Sequence, residues 1–475
     1  MILNKKTKIV ATIGPATESQ EMLSKLLKAG LNVMRMNFSH GDFAEHQAKL
    51  DNLKAAIKET GIPAATLQDL GGPKIRTGEF ATESGRVTIK KGQTFTLTTR
   101  VIKGDENICS INYAKLPEEA KVGDRIMIDD GKKRLQVTSI KGTEIICKVI
   151  VGGELKGRRG INFPDTDISM SSLTPKDKKD LEFGIKNKID FVALSFVRDP
   201  KDLVELRKIL VKNKCEASII AKIETPQAIK NIDEIIALSD GIMVARGDLA
   251  IEVPAEEVPL LQKMIIHKCN LVGKPVITAT QMLESMINSP VPTRAEVSDV
   301  ANAILDGTDA IMLSEETTLG SYPLESVELM SRVAIRTEND LLHEQLLFSK
   351  ERNNSTDVGE NVTSYVIRTA HKIDAKFVVA LTNFGYSARM MSRYRSQLPI
   401  LVFTPNEKTY QKSILSFGCL VFKIKTYTDF AHALDEIKSC VVKNKLAKKG
   451  DKFVVATGRP FGKQVGTNMM FVDSI

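Results

Sequence analysis

The 475-residue chain is too long for one ordinary domain, and its composition, 42% hydrophobic with 26% charged residues, is that of a globular protein built from two to four domains. The formal charge of +9, from 67 Lys and Arg against 58 acids, fits either a lysine-rich surface or a cleft for anions such as phosphates. With no tryptophan, 5% aromatics, no zinc-finger spacing and no run of roughly 18 apolar residues, neither nucleic acid nor a membrane is an expected partner.

The chain opens directly into a strand-like run at Lys8, without a signal-peptide-like apolar stretch. Cys109, Cys147, Cys215, Cys269, Cys419 and Cys440 are scattered, with no CxxC, and read as reduced thiols of a cytoplasmic protein.

Apolar runs of strand length follow one another at Lys8–Gly14, Asn32–Phe38 and Ala64–Leu70, then at Phe191–Val197, Ser218–Glu224, Gly241–Gly247, Lys274–Thr280 and Ala310–Glu316. Helical patterns lie between most of them, with start signals such as Thr174-Pro175 before an acidic first turn and Ser321-Tyr322-Pro323 before Leu324, Val327, Met330 and Ala334. Eight strands with helices between them predict a (β/α)₈ barrel.

The spacing breaks once. About 120 residues separate Leu70 from Phe191, and from about Arg86 to Phe163 they alternate apolar and polar, with turn signals at Lys91-Gly92, Asp130-Gly131, Lys141-Gly142 and Gly152-Gly153. This predicts an all-β domain, a small β-barrel, inserted after the third strand. Its entry at Gly71-Gly72-Pro73 reads as a hinge, so that the insert acts as a lid; a rigid elaboration is the alternative, and both stay open. The polar stretch from Ser349 to Thr356 reads as a linker. Strand-like runs at Lys376–Leu381, Pro399–Thr404, Cys419–Lys425 and Lys452–Thr457 then predict a separate open α/β domain. The expected division is barrel over 1–72 and 167–345, lid over 73–166, and C-terminal domain over 356–475.

Active sites of such barrels gather at the C-terminal strand ends. Those ends carry Arg35, Asn37 and Ser39 on one strand face, then Asp69, Lys222 and Glu224, Arg246-Gly247-Asp248, Thr278, Thr280 and Ser314. Lys222 and Glu224, two residues apart on a strand, share a face. Each residue alone fits a structural ion pair; together at one rim they fit a site. Glu224 and Asp248, without histidine neighbours, suit a hard divalent cation, Mg²⁺ or Mn²⁺. Lys222 and Arg35 suit a phosphoryl or carboxylate group beside it. Gly247 suits close backbone approach to an anion.

Thr12-Ile13-Gly14-Pro15-Ala16, Met34 to Gly41, Gly72-Pro73-Lys74-Ile75-Arg76-Thr77-Gly78, Ala221 to Glu224, Met243 to Leu249 and Ala279 to Met286 resemble pyruvate kinase, from Lys8 to about Val472. The resemblance implies phosphoryl transfer from phosphoenolpyruvate to ADP, giving pyruvate and ATP at the end of glycolysis. It implies Lys222, Arg35, Thr280 and Ser314 as catalytic residues, with Thr280 and Ser314 in a proton-delivery network. It places Arg35, Lys222, Gly247, Asp248 and Thr280 on the substrate, Arg35, Asn37, His40 and Arg76 on the nucleotide, and Mg²⁺ on Glu224 and Asp248. A homotetramer is implied by the resemblance alone. His40, a lone residue by itself, has a structural reading as well.

Many family members hold K⁺ among groups matching Asn37, Ser39, Asp69 and the carbonyl of Leu70, with a glutamate where this chain has Lys74. The Lys74 ammonium is expected to replace that ion, so that K⁺ is not required; a solvated Lys74 beside a surviving K⁺ site is the alternative. Ala250 and Glu315 stand where glycine is common, and neither removes a catalytic group. The C-terminal domain resembles the family's effector domain through Thr382, Asn383 and Ser387 and through Gly466-Thr467-Asn468. Asn383, Phe384 and Tyr386 dilute the phosphate cradle, leaving open a sugar-phosphate or nucleotide effector or a domain kept for assembly. A Mg²⁺-dependent enolate-forming aldolase or lyase barrel, and a catalytically silent metabolite sensor, are the competing readings; the lyase needs neither the insert nor Arg76.

Overall fold

The structure, a computed structural model, describes residues 5–340, 355–427, 429–461 and 465–475. Part of the expected linker, residues 349–354, lies outside the described residues. Eight parallel strands close a barrel: β1 (Lys8–Thr12), β2 (Val33–Asn37), β3 (Ala65–Asp69) and, beyond the insert, β12 (Phe191–Leu194), β13 (Ser218–Ile223), β14 (Gly241–Ala245), β15 (Val276–Ala279) and β16 (Ala310–Leu313). All eight expected strands are present; Arg35, Asn37, Asp69 and Lys222 lie within the last residues of their strands, whereas Glu224, Asp248, Thr280 and Ser314 follow theirs.

Strand alternation sorts side chains into two layers. Val10, Val33, Ala65, Leu67, Phe191, Ala193, Ile220, Met243 and Ile277 belong to one buried cluster. Their neighbours Ile9, Ala11, Met34 and Met36 pack with Leu23, Leu26 and Leu27 of the helix Gln20–Ala29. That helix is capped by Ser19 and stops at Gly30, whose φ of 117° only glycine adopts readily. Thr174 caps the helix Pro175–Lys186 in a reciprocal box with Asp177, as its sequence implies. The helix Pro323–Asn339 differs from expectation: its N-cap position is Tyr322, with no capping side chain, because Ser321 falls one residue too early.

The insert holds β4 (Arg86–Ile89), β5 (Thr94–Thr98), β6 (Ile108–Ser110), β7 (Arg125–Ile128), β8 (Lys133–Lys141), β9 (Glu144–Val151), β10 (Gly153–Lys156) and β11 (Ile161–Asn162). Its sheets of two and six strands enclose one core, with Val87, Ile89 and Leu155 of the first against Phe95, Leu97, Ile126 and Val149 of the second. At the entry, Gly72 has a φ of 65°, and a Cβ there would lie 2.9 Å from the Ser195 Cβ, so both conformation and space require glycine.

The C-terminal sheet runs β19 (Cys419–Lys423), β18 (Ile400–Thr404), β17 (Phe377–Leu381), β20 (Lys452–Thr457), β21 (Met469–Ser474). Four strands are the expected ones; β21, antiparallel to β20 at the edge, adds a fifth. Its partly exposed Met470, Phe471 and Val472 lack the buried-strand pattern that marks the others. Arg395, 2% exposed, joins this domain to the barrel by donating to Asp309 Oδ2 at 2.7 Å and Gly307 O at 2.7 Å. All six cysteines are free, and no described helix is long and apolar enough to cross a membrane.

Candidate active site

Lys222, on β13, is 9% exposed, and its Nζ donates to Ser195 Oγ at 2.6 Å. The same ammonium lies 3.0 Å from Glu224 Oε1 and 3.4 Å from Asp69 Oδ1. Strand β13 ends at Ile223, yet the extended two-residue spacing across its end does bring Lys222 and Glu224 into contact. Arg35, on β2, reaches the other Asp69 oxygen, with both Nε and Nη2 at 2.8 Å from Oδ2, and its Nη1 donates to Thr12 Oγ1 at 2.7 Å. Asp69 thus spaces two buried cations whose mutual repulsion would otherwise be severe. Burial would raise the Asp69 pKa, but Lys222 and Arg35 outweigh it and hold the carboxyl below its ordinary value. Burial would lower that of Lys222, but Asp69 and Glu224 outweigh it and keep the ammonium charged.

Glu224 is fully buried, and its Oε2 accepts the backbone N–H of Phe196 at 2.6 Å. Its Oε1 has no hydrogen-bond partner among the described residues and faces the Lys222 ammonium at 3.0 Å. Burial, partly offset by Lys222 and reinforced by Asp248, pushes Glu224 up to about 7. An orphaned buried carboxylate oxygen beside a second carboxylate is an oxygen-donor set that fits a hard divalent cation. No third His, Cys, Asp or Glu completes a cluster with them among the described residues.

Asp248 sits in the first turn of the short helix Arg246–Glu252 that follows β14. Gly247 N donates to Thr280 Oγ1 at 2.7 Å, and that hydroxyl donates to Ala279 O at 2.6 Å. The Gly247 amide expected to face a carboxylate is therefore held by Thr280 in this conformation. Thr280 has a φ of 70°, a strained conformation for a β-branched residue. Arg246 is engaged by a bidentate pair with Asp299, both contacts at 2.7 Å, and its Nη2 also donates to Thr280 O at 2.8 Å. Ser314 N donates to Glu316 Oε2 at 2.7 Å, while Glu316 Oε1 accepts Leu283 N at 3.1 Å. Ser314 lines a 580 Å³ cavity with Thr12, Arg35, Asn37 and His40. The 280 Å³ cleft under the insert brings Arg76 near Lys74, Arg158, Arg198, Asp248 and Glu252.

Lys74 Nζ donates to Ser39 Oγ at 3.1 Å. Partial burial in the cleft and the Lys222 charge hold this ammonium below its ordinary pKa, against the pull of Asp248 and Asp69. Asn37 Oδ1 accepts Ser39 N at 3.1 Å, and Leu70 O accepts Ser195 Oγ at 2.8 Å. Groups expected around a K⁺ ion are thus already bonded to the protein. His40 is exposed, with a pKa lowered by burial of part of the ring and by Lys74, Arg76, Arg35 and Lys176.

Sequence reasoning missed Ser195, Phe196 and Lys176. Ser195 follows β12, so the strand-end rule that found Asp69 could have found it. Lys176 Nζ donates to Phe38 O at 2.7 Å across a separation of 138 residues, for which the sequence carries no signal.

In the C-terminal domain, Thr382, Asn383 and Ser387 do come together, around a cavity of 50 Å³. Ser387 and Thr467 hydroxyls are 2.5 Å apart, and Thr382 Oγ1 accepts Gly385 N at 3.0 Å. That volume is far below the roughly 300 Å³ a small-molecule site needs.

The model of the pyruvate kinase barrel domain matches residues 4–327, and that of the pyruvate kinase alpha/beta domain matches residues 360–472. A pyruvate kinase of Clostridium perfringens is 44% identical over 99% of this chain and 100% of its own length. One from Geobacillus stearothermophilus is 42% identical over 100% of this chain, which covers 81% of that longer protein. The crystal structure of a pyruvate kinase from Cryptosporidium parvum superposes with a TM-score of 0.95 at 34% identity, covering 99% of this chain and 96% of that one. The chain belongs to the pyruvate kinase family and is a phosphotransferase.

Proposed function

We propose that the chain transfers the phosphoryl group of phosphoenolpyruvate to ADP and protonates the enolate to pyruvate. The observation that carries this reading is the buried Lys222 ammonium, fixed by Asp69, Glu224 and Ser195 at the rim where Arg35 also converges. Lys222 neutralises charge on the moving phosphoryl group and on the enolate oxygen, and Arg35 binds that phosphoryl group. Arg76, in the cleft beneath the insert, binds the nucleotide phosphates with Asn37 and His40, so that closure of the insert brings donor and acceptor together. Thr280 moves its hydroxyl from the Gly247 amide to the substrate carboxylate, freeing that amide as a second donor. Thr280 and Ser314 lead to the proton that the enolate carbon receives.

Glu224 and Asp248 hold Mg²⁺, which when bound supplies Lewis-acid neutralisation of phosphate and enolate oxygens. Lys74 stands in for K⁺: its ammonium already sits on Ser39, and a second cation there would be repelled. The small cavity at Thr382, Asn383 and Ser387 favours a C-terminal domain that serves assembly of a homotetramer over one that takes a sugar bisphosphate. The reaction and the free cysteines suit the cytoplasm. No observation favours the lyase or the silent sensor. Pyruvate formation from phosphoenolpyruvate and ADP with Mg²⁺ is expected; wild-type protein that produces none overturns the reading.

A further inference from the structure

We propose that His46 is a positioning residue for the nucleotide side of the site, acting through the His40 carbonyl; this rests on the reaction just proposed. His46 Nε2 lies 3.1 Å from His40 O. A carbonyl only accepts, so Nε2 carries the hydrogen and Nδ1 is a bare acceptor. That Nδ1 is buried and has no hydrogen-bond partner among the described residues. The ring is 3% exposed and stacks on Phe38 with centroids 4.0 Å apart and planes 14° from parallel.

A phenylalanine would fill such a slot without burying an unsatisfied acceptor. The imidazole contributes one thing an apolar ring lacks, its Nε2–H. Burial and the nearby Lys49 and Lys176 disfavour the imidazolium, against the opposing pull of the His40 carbonyl and Glu45, so the donor is a neutral ring.

The bond this donor makes completes a set. The turn after β2 has Phe38 O held by Lys176, Ser39 N by Asn37, Ser39 Oγ by Lys74 and His40 O by His46. Next comes Gly41, with a φ of 77°, where the chain would swing if the His40 carbonyl were released. This turn, directly after Asn37, carries His40 into the 580 Å³ cavity that Asn37 also lines, whereas Lys222, Glu224, Asp248 and Thr280 stand on β13 to β15 and the segments after them. Arg35, which meets the phosphoryl group and lines the same cavity, is anchored upstream on β2 by Asp69 and Thr12, so loss of the His46 bond strikes the nucleotide more than phosphoenolpyruvate.

Steady-state kinetics at saturating Mg²⁺ on wild type, His46→Phe, His46→Gln and His46→Asn test this. His46→Phe keeps the ring and loses the donor; its KM for ADP is expected to rise about tenfold, with the KM for phosphoenolpyruvate within about twofold of wild type. Glutamine places an amide N–H near the Nε2 position and is expected to recover most of the ADP affinity; asparagine, one methylene shorter, is not. An unchanged ADP KM in His46→Phe, equal rises for both substrates, or equal behaviour of the Gln and Asn variants overturns the assignment. Should His46→Phe fail to fold, the Gln and Asn pair decides alone. Wild type without turnover sinks the underlying reaction and this role with it; wild-type turnover with any overturning result sinks only the role of His46.

Discussion

Lys74 Nζ and Ser39 Oγ, 3.1 Å apart, join the entry of the insert to the turn that ends β2. Two unit charges 4 Å apart at an effective dielectric constant of 20 repel by about 4 kcal/mol, enough to exclude a free cation from this spot. Wild-type rates in K⁺ and in tetramethylammonium salts are expected to agree within about twofold, while Lys74→Glu is expected to gain at least about tenfold from K⁺. A strong K⁺ stimulation of the wild type would refute the substitution of ion by side chain.

Lys222→Met removes the only ammonium among the described residues that touches both Asp69 and Glu224. Loss of a preorganised charge of this kind is expected to cut kcat by at least about a hundredfold. Arg35 remains on Asp69, so circular dichroism is expected to report a folded variant. Turnover equal to wild type would remove Lys222 from the mechanism.

Glu252 accepts a hydrogen bond from Asn162 of the insert at 2.7 Å, and burial pushes its pKa from 4.5 up to about 7, against Asn162 and Arg198. A carboxyl with a raised folded pKa binds more protons folded than unfolded, so its contribution is full below 4.5 and lost as pH rises through about 7. Glu224 has the same sign over the same window. Melting temperatures recorded from pH 4.5 to 8 are expected to fall less steeply in Glu252→Gln than in wild type. Parallel curves would show that Glu252 does not titrate there.

Arg395 donates to Asp309 and Gly307 from a site stacked 4.9 Å over Phe417. Arg395→Leu leaves Asp309 buried beside a lost cation and is expected to destabilise the protein by about 3–5 kcal/mol. Chemical denaturation checks this, and a variant within about 1 kcal/mol of wild type would contradict it.

Fructose 1,6-bisphosphate is expected to leave the melting temperature unchanged, because the cavity at Ser387 has only 50 Å³. A ligand of the folded state at a hundred times its Kd would add about 2.7 kcal/mol and a visible shift. Such a shift would show that the Ser387–Thr467 contact opens.

The eight barrel strands were legible because buried parallel strands are continuous apolar runs and their period of two is local. The same locality put Lys222 and Glu224 on one face. Glycine at position 72 was legible as a junction, though not the Ser195 side chain that demands it. Edge strand β21 was not legible, since a half-exposed antiparallel strand needs no such run.

Tertiary structure alone decided which strand ends meet. Arg35 finds Asp69 across 34 residues, Lys222 finds Ser195 across 27, and Lys176 finds Phe38 O across 138. It also paired Arg246 with Asp299, across 53 residues, and set it against the Thr280 carbonyl. Strand pattern sets the direction of a side chain, whereas barrel closure sets its neighbours. In a buried rim the neighbours determine which charges are paired and which oxygen, as on Glu224, is left for a ligand.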